Sequence, residues 1–400
     1  MQAARAIRNN CRGWIVGLEL YSKEMVASRF KLFKGAKEIL KSIISIFVLP
    51  GYTQADKIYI FQGSKTQIYL KLFDKSKVVL LGSRKEKKLA IEHGYGFLWD
   101  FPLRSSVAAS VYRGNDLLLY WQLIWWLKFL SRKHEVIMFL SEDTQEVGTF
   151  LCQFVSLLPS KVKTVCIQHG YYNYHQPMRY EGMHCQYKLL WDDKQIALMN
   201  LNRDSSFSIG PPYIARAKIG SELPIIFVGT GELFAPRYYQ AAVDTYTKID
   251  HMLNTRFGIS GVYRPHPNEY CRPEALRLLV KQFKDLDFSE IEDRLNGQRS
   301  IFVGNVSSVL FLAARSGHFV ANFDMYEYWH KCLFDYHYKI DVLNIRGFIE
   351  WVEVLRSNRD NKCTFKNKNN DDPVLEFRRG LIELGITKES CLKGNAELIR

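Results

Sequence analysis

The chain has 400 residues, of which 47% are hydrophobic and 14% aromatic, and its formal net charge is +14. This composition excludes a disordered chain, and the length predicts two domains with a core each. The positive charge favours an anionic partner, which leaves nucleic acid, a phosphorylated ligand or an anionic membrane surface open.

Cysteine usage and hydropathy exclude further classes. The eight cysteines are scattered without a CxxC pair, so the sequence indicates neither a zinc site nor a disulfide framework. The apolar run at the N-terminus is short and Glu19 interrupts it, so we predict no signal peptide. No stretch reaches about 18 uncharged apolar residues, and 117–130, which contains Lys128, is predicted to be a buried helix.

The first predicted element is a basic amphipathic helix at 31–44, KLFKGAKEILKSII. At about 100° per residue, four lysines fall on one face and apolar side chains on the other. The lysines are Lys31, Lys34, Lys37 and Lys41. Such a helix suits an anionic membrane surface, and the same pattern is typical of a surface helix packed on a core.

The first half of the chain alternates short β-branched runs with longer helical patterns, which is typical of α/β proteins. The predicted strands are 57–61, 77–82, 135–141, 163–168, 187–191 and 207–210. GPPY at 210–213 signals a turn or linker, so we place a domain boundary near 212–222.

The same alternation restarts after this boundary. The predicted strands are 223–229, 258–263, 299–304 and 318–323. Residues 360–373 are polar and predicted to form a loop, followed by a terminal helix. The pattern predicts two α/β domains, 1–215 and 216–400, with a cleft between them. Because ligands of open parallel sheets bind beyond the carboxyl ends of strands, residues at those ends are the functional candidates.

Two candidate sites follow strands of the first half. SEDTQEVG, 141–148, places Glu142 and Asp143 where a general base would stand, although acidic residues also cap helices. IQHGYYNYH, 167–175, places His169 before a glycine at a sharp turn, and the tyrosines after it suit stacking on a base or a sugar ring. A lone histidine is more often structural than catalytic.

Two more candidates follow strands of the second half. In GTGE, 229–232, the segment Gly229-Thr230-Gly231 would let the backbone approach a ligand, although a plain strand-to-helix turn explains it as well. In RPHP, Arg264 offers a planar fork to a phosphate or carboxylate, and His266 can donate to a departing phosphate oxygen. Pro265 and Pro267 hold both residues extended.

A last candidate lies in GNVSSVLFLAARSG, 304–317. Ser307 and Ser308 are predicted at the cap and first turn of a helix, where free backbone N–H groups and the helix dipole favour a phosphate. Plain helix capping by serine gives the same pattern. Asp285-Leu-Asp287 is the nearest approach to a DxD motif, and we expect it in a helical, polar surface stretch.

On these residues the chain resembles GT-B glycosyltransferases, and more narrowly bacterial enzymes of surface-polysaccharide assembly that use CMP- or CDP-activated donors. His266-Pro267 and Ser307-Ser308 are similar to the HP and paired-serine motifs of bacterial sialyl- and polysialyltransferases. RPHP and, more loosely, Gln168-His169-Gly170 resemble motifs of CDP-glycerol glycerophosphotransferases. The sialyltransferases place two acidic residues before a glycine, whereas Thr144 follows Glu142-Asp143 here.

The resemblance implies an α/β GT-B fold of two Rossmann-like domains, with an acceptor domain at 1–215 and a nucleotide-donor domain at 216–400. It implies direct displacement of CMP from a CMP-linked nonulosonic acid. Glu142, Asp143 or His169 is then the base, and His266 donates to the leaving phosphate. Arg264, Pro267, Ser307, Ser308 and the 229–231 segment form the nucleotide site. Neither a metal nor another cofactor is expected, because a monophosphate leaves.

The expected partners are the CMP-sugar donor, a glycan or lipid-linked acceptor and an anionic membrane surface, with no nucleic acid. The enzyme would work in the cytoplasm at the inner leaflet, in capsule or lipopolysaccharide biosynthesis. The alternatives are a CDP-polyol phosphotransferase and a non-catalytic nucleotide- or lipid-binding scaffold. A UDP-N-acetylglucosamine 2-epimerase ranks lower, because 304–317 has no acidic residue.

Overall fold

The fold is known from a computed structural model of the chain. The residues that the structure describes are 55–113, 116–141, 146–155, 158–168, 170, 184–212, 215–220, 222–229, 236–270, 273–305, 307–323, 336–357 and 372–393. The predicted amphipathic helix at 31–44 and the predicted loop up to 371 lie outside them.

The strands form two parallel sheets. In chain order they are β1 Lys57–Gln62, β2 Val78–Gly82, β3 Gly96–Trp99, β4 Glu135–Leu140, β5 Val162–Ile167, β6 Tyr187–Leu190, β7 Ser206–Ser208, β8 Ile225–Val228, β9 Val262–Arg264, β10 Asp285–Leu286, β11 Ile301–Gly304, β12 Phe319–Asn322 and β13 Tyr338–Lys339. The first sheet has the order β3-β2-β1-β4-β5-β6-β7 and the second β10-β9-β8-β11-β12-β13.

Helices connect these strands, as parallel pairing requires. They are α1 Arg84–His93, α2 Phe101–Arg113, α3 Asp116–Ser131, α4 Glu146–Val155, α5 Asp193–Leu198, α6 Pro236–Phe257, α7 Pro267–Tyr270, α8 Pro273–Gln282, α9 Ile291–Leu295, α10 Ser308–Arg315, α11 Arg346–Ser357 and α12 Pro373–Glu383. Short 3₁₀ helices span Ser64–Leu72, Lys75–Lys77, Arg203–Ser205 and Glu389–Cys391.

The chain divides into two compact units. The first takes in the described residues of 55–168, 184–212 and 372–393, and the second takes in 170 and the described residues of 215–357. Strands predicted from the sequence appear in both, which bears out the α/β prediction. The sequence had assigned everything after 216 to the second domain, whereas the segment from 372 groups with the first unit.

The first unit has a core on each face of its sheet, because side chains alternate along each strand. In β1, Ile58 and Ile60 face one core and Tyr59 and Phe61 the other. Helices α2, α3 and α4 cover the first face, and the 3₁₀ helix 64–72 together with α12 covers the second. The predicted buried helix at 117–130 is therefore confirmed as α3.

The second unit centres on a core between its sheet and helices α6, α8 and α11. Ile225 and Phe227 of β8 and Ile301 and Val303 of β11 are buried there. These apolar strands end in glycine or polar residues at one edge of the sheet, where the chain turns into loops and helices. That edge carries the predicted motifs of this half.

Candidate nucleotide-binding site

The motifs of the second unit leave the sheet at one common level. Val228 is the register partner of Arg264 in β9 on one side and of Gly304 in β11 on the other, and Gly304 pairs with Asn322 of β12. The RPHP, GTGE and paired-serine segments therefore start side by side. Since strands lie about 4.8 Å apart, Arg264 and Gly304 are separated by about 10 Å across β8.

His266 caps the short helix α7. Pro267 occupies the first helical position, which needs no N–H donor and suits the fixed φ of proline. The carbonyl of His266 accepts from the backbone N–H of Glu269 at 2.8 Å. The carboxylate of Glu269 in turn accepts from the N–H of His266. The backbone of His266 is therefore held on both sides by Glu269, and the carboxylate bond is the glutamate half of a capping box.

Glu269 is fully buried beneath this turn. Its Oε1 accepts from the Tyr263 hydroxyl at 3.0 Å. Burial raises the pKa of Tyr263 well above its ordinary value and the Glu269 carboxylate raises that pKa further, so the phenol keeps its proton and donates. The carboxylate thereby ties β9 to the turn that follows it.

The lack of a side chain at Gly229 makes room for the same carboxylate. A Cβ at this position would overlap Glu269 Oε2 and would lie 2.9 Å from both the His266 N and the Tyr263 hydroxyl. The N–H of Gly229 donates to the Arg264 carbonyl at 2.9 Å. Gly229, the first residue of GTGE, and the RPHP turn are therefore packed together, with Glu269 between them.

Arg264 makes contacts inside the unit. Its Nη1 lies 3.2 Å from Asp287 Oδ2 and donates to the Ser289 carbonyl at 2.7 Å. Arg294 also donates to Asp287, at 2.8 Å. Burial by itself would raise the pKa of Asp287, but hydrogen bonds from Ser289 and Arg294 outweigh it and hold that pKa below its ordinary value. The guanidinium has five N–H donors, and its contact with a ligand phosphate stays a prediction.

The placement of Asp287 corrects one expectation. The segment 285–287 was expected in a helix at the surface, whereas Asp285–Leu286 is strand β10 and the Asp287 side chain is only 3% exposed. The segment is too polar to read as a strand, and the two arginines that compensate the buried carboxylate come from elsewhere in the sequence.

The paired serines differ in their environments. Ser307 is the N-cap of α10, and its Oγ accepts from the Val309 N–H at 3.2 Å, so helix capping is real here. A hydroxyl that accepts one hydrogen bond keeps its own proton to donate. Ser308 Oγ would lie 3.0 Å from a Cβ added at Gly170, which belongs to the same unit. The serine motif and the glycine of the QHG turn are therefore close neighbours.

Asn305 stands between β11 and these serines. It is fully buried, and within the described part of the chain neither its Oδ1 nor its Nδ2 has a hydrogen-bond partner. Leaving a buried polar group unsatisfied costs about 1–3 kcal/mol. A polar side chain in this condition beside a helix N-terminus is a candidate for an additional ligand or water contact.

Of the remaining predicted site residues, Glu142, Asp143, His169, Thr230 and Gly231 lie outside the described residues. Gln168, just before His169, is buried in a tight network. It accepts from the Trp191 N–H at 2.5 Å through its side chain and from the Trp191 indole at 2.8 Å through its carbonyl. Its amide group also donates to Gln195. Gln168 therefore fixes the end of β5.

Sequence reasoning missed Glu269, Asp287 and Asn305. A signal for Glu269 was present, because H-P-N-E has a proline at the first helical position and a glutamate two residues later, as in a capping box. Asp287 had no such signal. Asn305 lay inside the quoted 304–317 motif, and only its burial marks it out.

Two absences can be stated for the described parts of the chain alone. No group of three or more His, Cys, Asp or Glu residues gathers there in a way that would hold a metal ion. Within the same parts, no helix combines the length and apolar character needed to cross a membrane.

Comparison with known proteins identifies the fold. No protein-family model matches the sequence, and no curated protein sequence matches it. UDP-GlcNAc 2-epimerase from Methanocaldococcus jannaschii, in complex with UDP-GlcNAc and UDP, matches over 82% of this chain and 99% of that chain, with TM-score 0.50 and 10% identity. The likeness, together with the two parallel sheets, shows an α/β fold of the GT-B type with two Rossmann-like domains.

Two further solved structures are similar at lower scores. The glycotransferase of kitacinnamycin covers 82% of this chain and 95% of its own, with TM-score 0.46 and 10% identity. UDP-N-acetylglucosamine 2-epimerase from Rickettsia bellii covers 82% and 94%, with TM-score 0.44 and 11% identity.

Proposed function

We propose that the protein is a glycosyltransferase that uses a nucleotide-activated sugar, with the second unit binding the nucleotide. One observation carries the proposal: the ends of β8, β9 and β11 bring Gly229, His266 and the serine-capped α10 to one edge of one sheet. Hydroxyls, an imidazole and the positive N-terminus of a helix at a sheet edge suit the phosphate of a nucleotide.

The more specific proposal is transfer of a nonulosonic acid, sialic acid-like or Kdo-like, from a CMP-activated donor to a surface-glycan acceptor. The sequence motifs support it, since RPHP and the paired serines resemble those of CMP- and CDP-dependent enzymes. The acceptor hydroxyl oxygen attacks the anomeric carbon while the bond from that carbon to the CMP oxygen breaks. A base takes the hydroxyl proton, and CMP leaves with the bonding electron pair.

The leaving phosphate is stabilised by groups of the second unit. Ser307 and Ser308 donate to its oxygens at the positive N-terminus of α10, and His266 donates from the other side. Charge-assisted hydrogen bonds of this kind contribute about 1.5–3 kcal/mol each. Loss of one that strengthens at the transition state should slow transfer about ten- to a hundredfold.

The base is Glu142, Asp143 or His169, and the choice stays open. Gly170 follows His169 in the sequence and lies next to Ser308, which favours His169 as the base. The acidic pair instead matches the sialyltransferase pattern in part. Thr230 and Gly231 join Gly229 in the nucleotide site, and Arg264 contributes positive charge.

The proposed mechanism needs no metal and no cofactor beyond the donor substrate. A glycan or lipid-linked glycan is the acceptor, and the basic segment 31–44 is proposed to contact anionic lipid. We place the enzyme in the cytoplasm, peripheral to the inner leaflet, without a nucleic-acid partner.

Two alternatives follow from the same residues. A CDP-polyol phosphotransferase would use the same nucleotide site but transfer a phosphate-bearing group. A non-catalytic nucleotide- or lipid-binding scaffold would keep the fold without turnover. The first would consume CDP-glycerol rather than CMP-sugars, and the second would consume neither.

The test is donor consumption by the purified protein, measured by mass spectrometry with a panel of CMP-activated nonulosonic acids, CDP-glycerol and UDP-GlcNAc. We expect CMP release from a member of the first group, no transfer with His266→Ala, and weaker CMP binding with the double variant Ser307→Ala and Ser308→Ala. His251→Ala, at an exposed position on α6, is the matched control. A folded, fully active His266→Ala variant would contradict the proposal, and so would an inert wild-type protein.

A further inference from the structure

We propose that Glu269 is the positioning residue of the nucleotide site, holding the His266 imidazole and the Gly229 turn in a fixed relation. This inference rests on the proposed function for its binding readout. It adds a residue to which neither the sequence motifs nor the proposed mechanism gave a role.

The Glu269 carboxylate contacts residues at two strand ends. Glu269 accepts from the His266 N–H and from the Tyr263 hydroxyl, and its Oε2 occupies the place where a side chain at Gly229 would stand. Both backbone polar groups of His266 are bound to Glu269. The backbone from which the imidazole projects is therefore held by Glu269.

The second argument is energetic. Glu269 is 0% exposed, and removing a carboxylate from water costs several kcal/mol unless donors compensate for the lost hydration. The donors that compensate Glu269 come from Tyr263 and from the His266 backbone, so the buried acid links β9 to the turn that carries His266.

The third argument is location. Gly229, Tyr263 and His266 all lie at or next to the carboxyl edge of the second sheet, where the three candidate binding segments begin. A shift of Glu269 would move the backbone on both sides of the proposed phosphate position together. Binding energy at such sites depends on placement within about 0.5 Å.

The test compares two variants of similar volume. Glu269→Gln keeps an oxygen for the His266 N–H and an amide that can donate to Tyr263, whereas Glu269→Met fills the space without an acceptor. Glu274→Met, at an exposed position in the first turn of α8, is the matched control. Three quantities are measured: hydrogen exchange of the His266 amide, the NMR signal of the His266 imidazole, and the Kd for CMP.

For Glu269→Met we expect at least tenfold faster His266 amide exchange, a shifted or broadened imidazole signal and at least tenfold weaker CMP binding. For Glu269→Gln we expect the His266 amide exchange rate and the Kd for CMP to stay within about threefold of wild type. The imidazole signal should not shift or broaden. Combining Glu269→Met with His266→Ala should weaken CMP binding by less than the product of the two single losses, because part of the effect of Glu269 passes through the imidazole.

Several results would overturn the inference. They are equal losses in the Gln and Met variants, wild-type behaviour of the Met variant, or additive losses in the double variant. If Glu269→Met does not fold, Tyr263→Phe is tested in its place. This variant removes one donor to the carboxylate and should measurably shift or broaden the NMR signal of the His266 imidazole. A wild-type protein that does not bind CMP defeats the proposed function, while the exchange and imidazole measurements still decide the role of Glu269.

Discussion

Asn305 and Glu269 are two buried polar residues at the same sheet edge, and the structure treats them differently. Glu269 has donors from Tyr263 and His266, whereas the Asn305 amide has no hydrogen-bond partner among the described residues. A buried group that destabilises the free protein is expected where a ligand or a bound water will use it. A substitution at Asn305 should therefore weaken ligand binding without lowering the free energy of unfolding.

Asn305→Leu tests this separation. Replacing an unsatisfied amide by an apolar side chain of similar volume should leave the free energy of unfolding unchanged or raise it by about 1–2 kcal/mol. CMP binding should weaken about tenfold. Denaturant unfolding and calorimetric titration measure the two effects, with Asn344→Leu in an exposed turn as control. Destabilisation with unchanged CMP affinity would show that the amide serves the fold.

At this scale, sequence reasoning located the segments but not every interaction inside them. RPHP, Gly229 of GTGE and the paired serines were predicted at strand ends and lie there. The ion pair of Arg264 with Asp287 spans 23 residues, and no local pattern indicates it. Glu269 was missed although local capping rules reach it, whereas Asp287 was missed because only long-range contacts place it.

Among the elements, β12 has two histidines beside it. His318 directly precedes it in the chain, and His337, which directly precedes β13, contacts it. The ring of His318 accepts from the Ser300 N–H through Nδ1 at 3.1 Å and pairs through Nε2 with the Leu295 carbonyl at 3.0 Å, which defines the neutral tautomer with the proton on Nε2. Burial lowers the pKa of His318 to about 4, and burial lowers the pKa of His337, whose Nδ1 accepts from Val320, to about 4 as well.

These pKa values predict acid sensitivity of the second sheet. Since the folded protein binds the His318 proton more weakly than the unfolded chain, whose pKa is near 6.5, this contribution to stability is present above pH 6.5 and is lost as the pH falls toward 4. The expected loss between pH 7 and pH 4 is about 3 kcal/mol for His318. Urea unfolding at a series of pH values measures it.

His318→Gln should flatten that pH dependence, because glutamine keeps an acceptor and a donor but does not titrate. His134→Gln, at an exposed loop position, should follow the wild-type curve. If His318→Gln and wild type lose stability in parallel, the acid sensitivity has another origin.

Element prediction found most of the apolar strands but missed β3, β10 and β13. The predicted strands at 57–61, 135–141 and 299–304 match β1, β4 and β11 to within a few residues. β10 and β13 have two residues each and contain charged side chains, so no hydrophobic run marks them. Such edge strands exist because a neighbouring strand offers its backbone groups, which is a tertiary effect.

At the scale of the whole molecule, the C-terminal helix joins the first unit. Phe377 of α12 is fully buried and stacks on Tyr69, with ring centroids 4.0 Å apart, and it also packs against Phe139. The sequence predicted that this segment is helical. It did not show which of two similar apolar sheets would receive it.

Phe377→Ala should destabilise the first unit by about 3–5 kcal/mol, because it removes a buried ring and leaves a cavity. Amide exchange in β4 should accelerate, while exchange in β11 of the second unit should not change. Leu375→Ala, where the leucine is 40% exposed, should have little effect on either. Equal acceleration in both strands would mean that α12 supports both units.

The same helix sets an order of events during synthesis. A ribosome makes about 5–20 residues per second, so the second unit is translated for roughly ten to thirty seconds before α12 emerges. Throughout that interval the apolar surface around Tyr69 and Phe139 lacks its cover and is open to non-native association. A nascent chain stalled before 372 should therefore recruit chaperones through its first half, although every strand of that half has already been made.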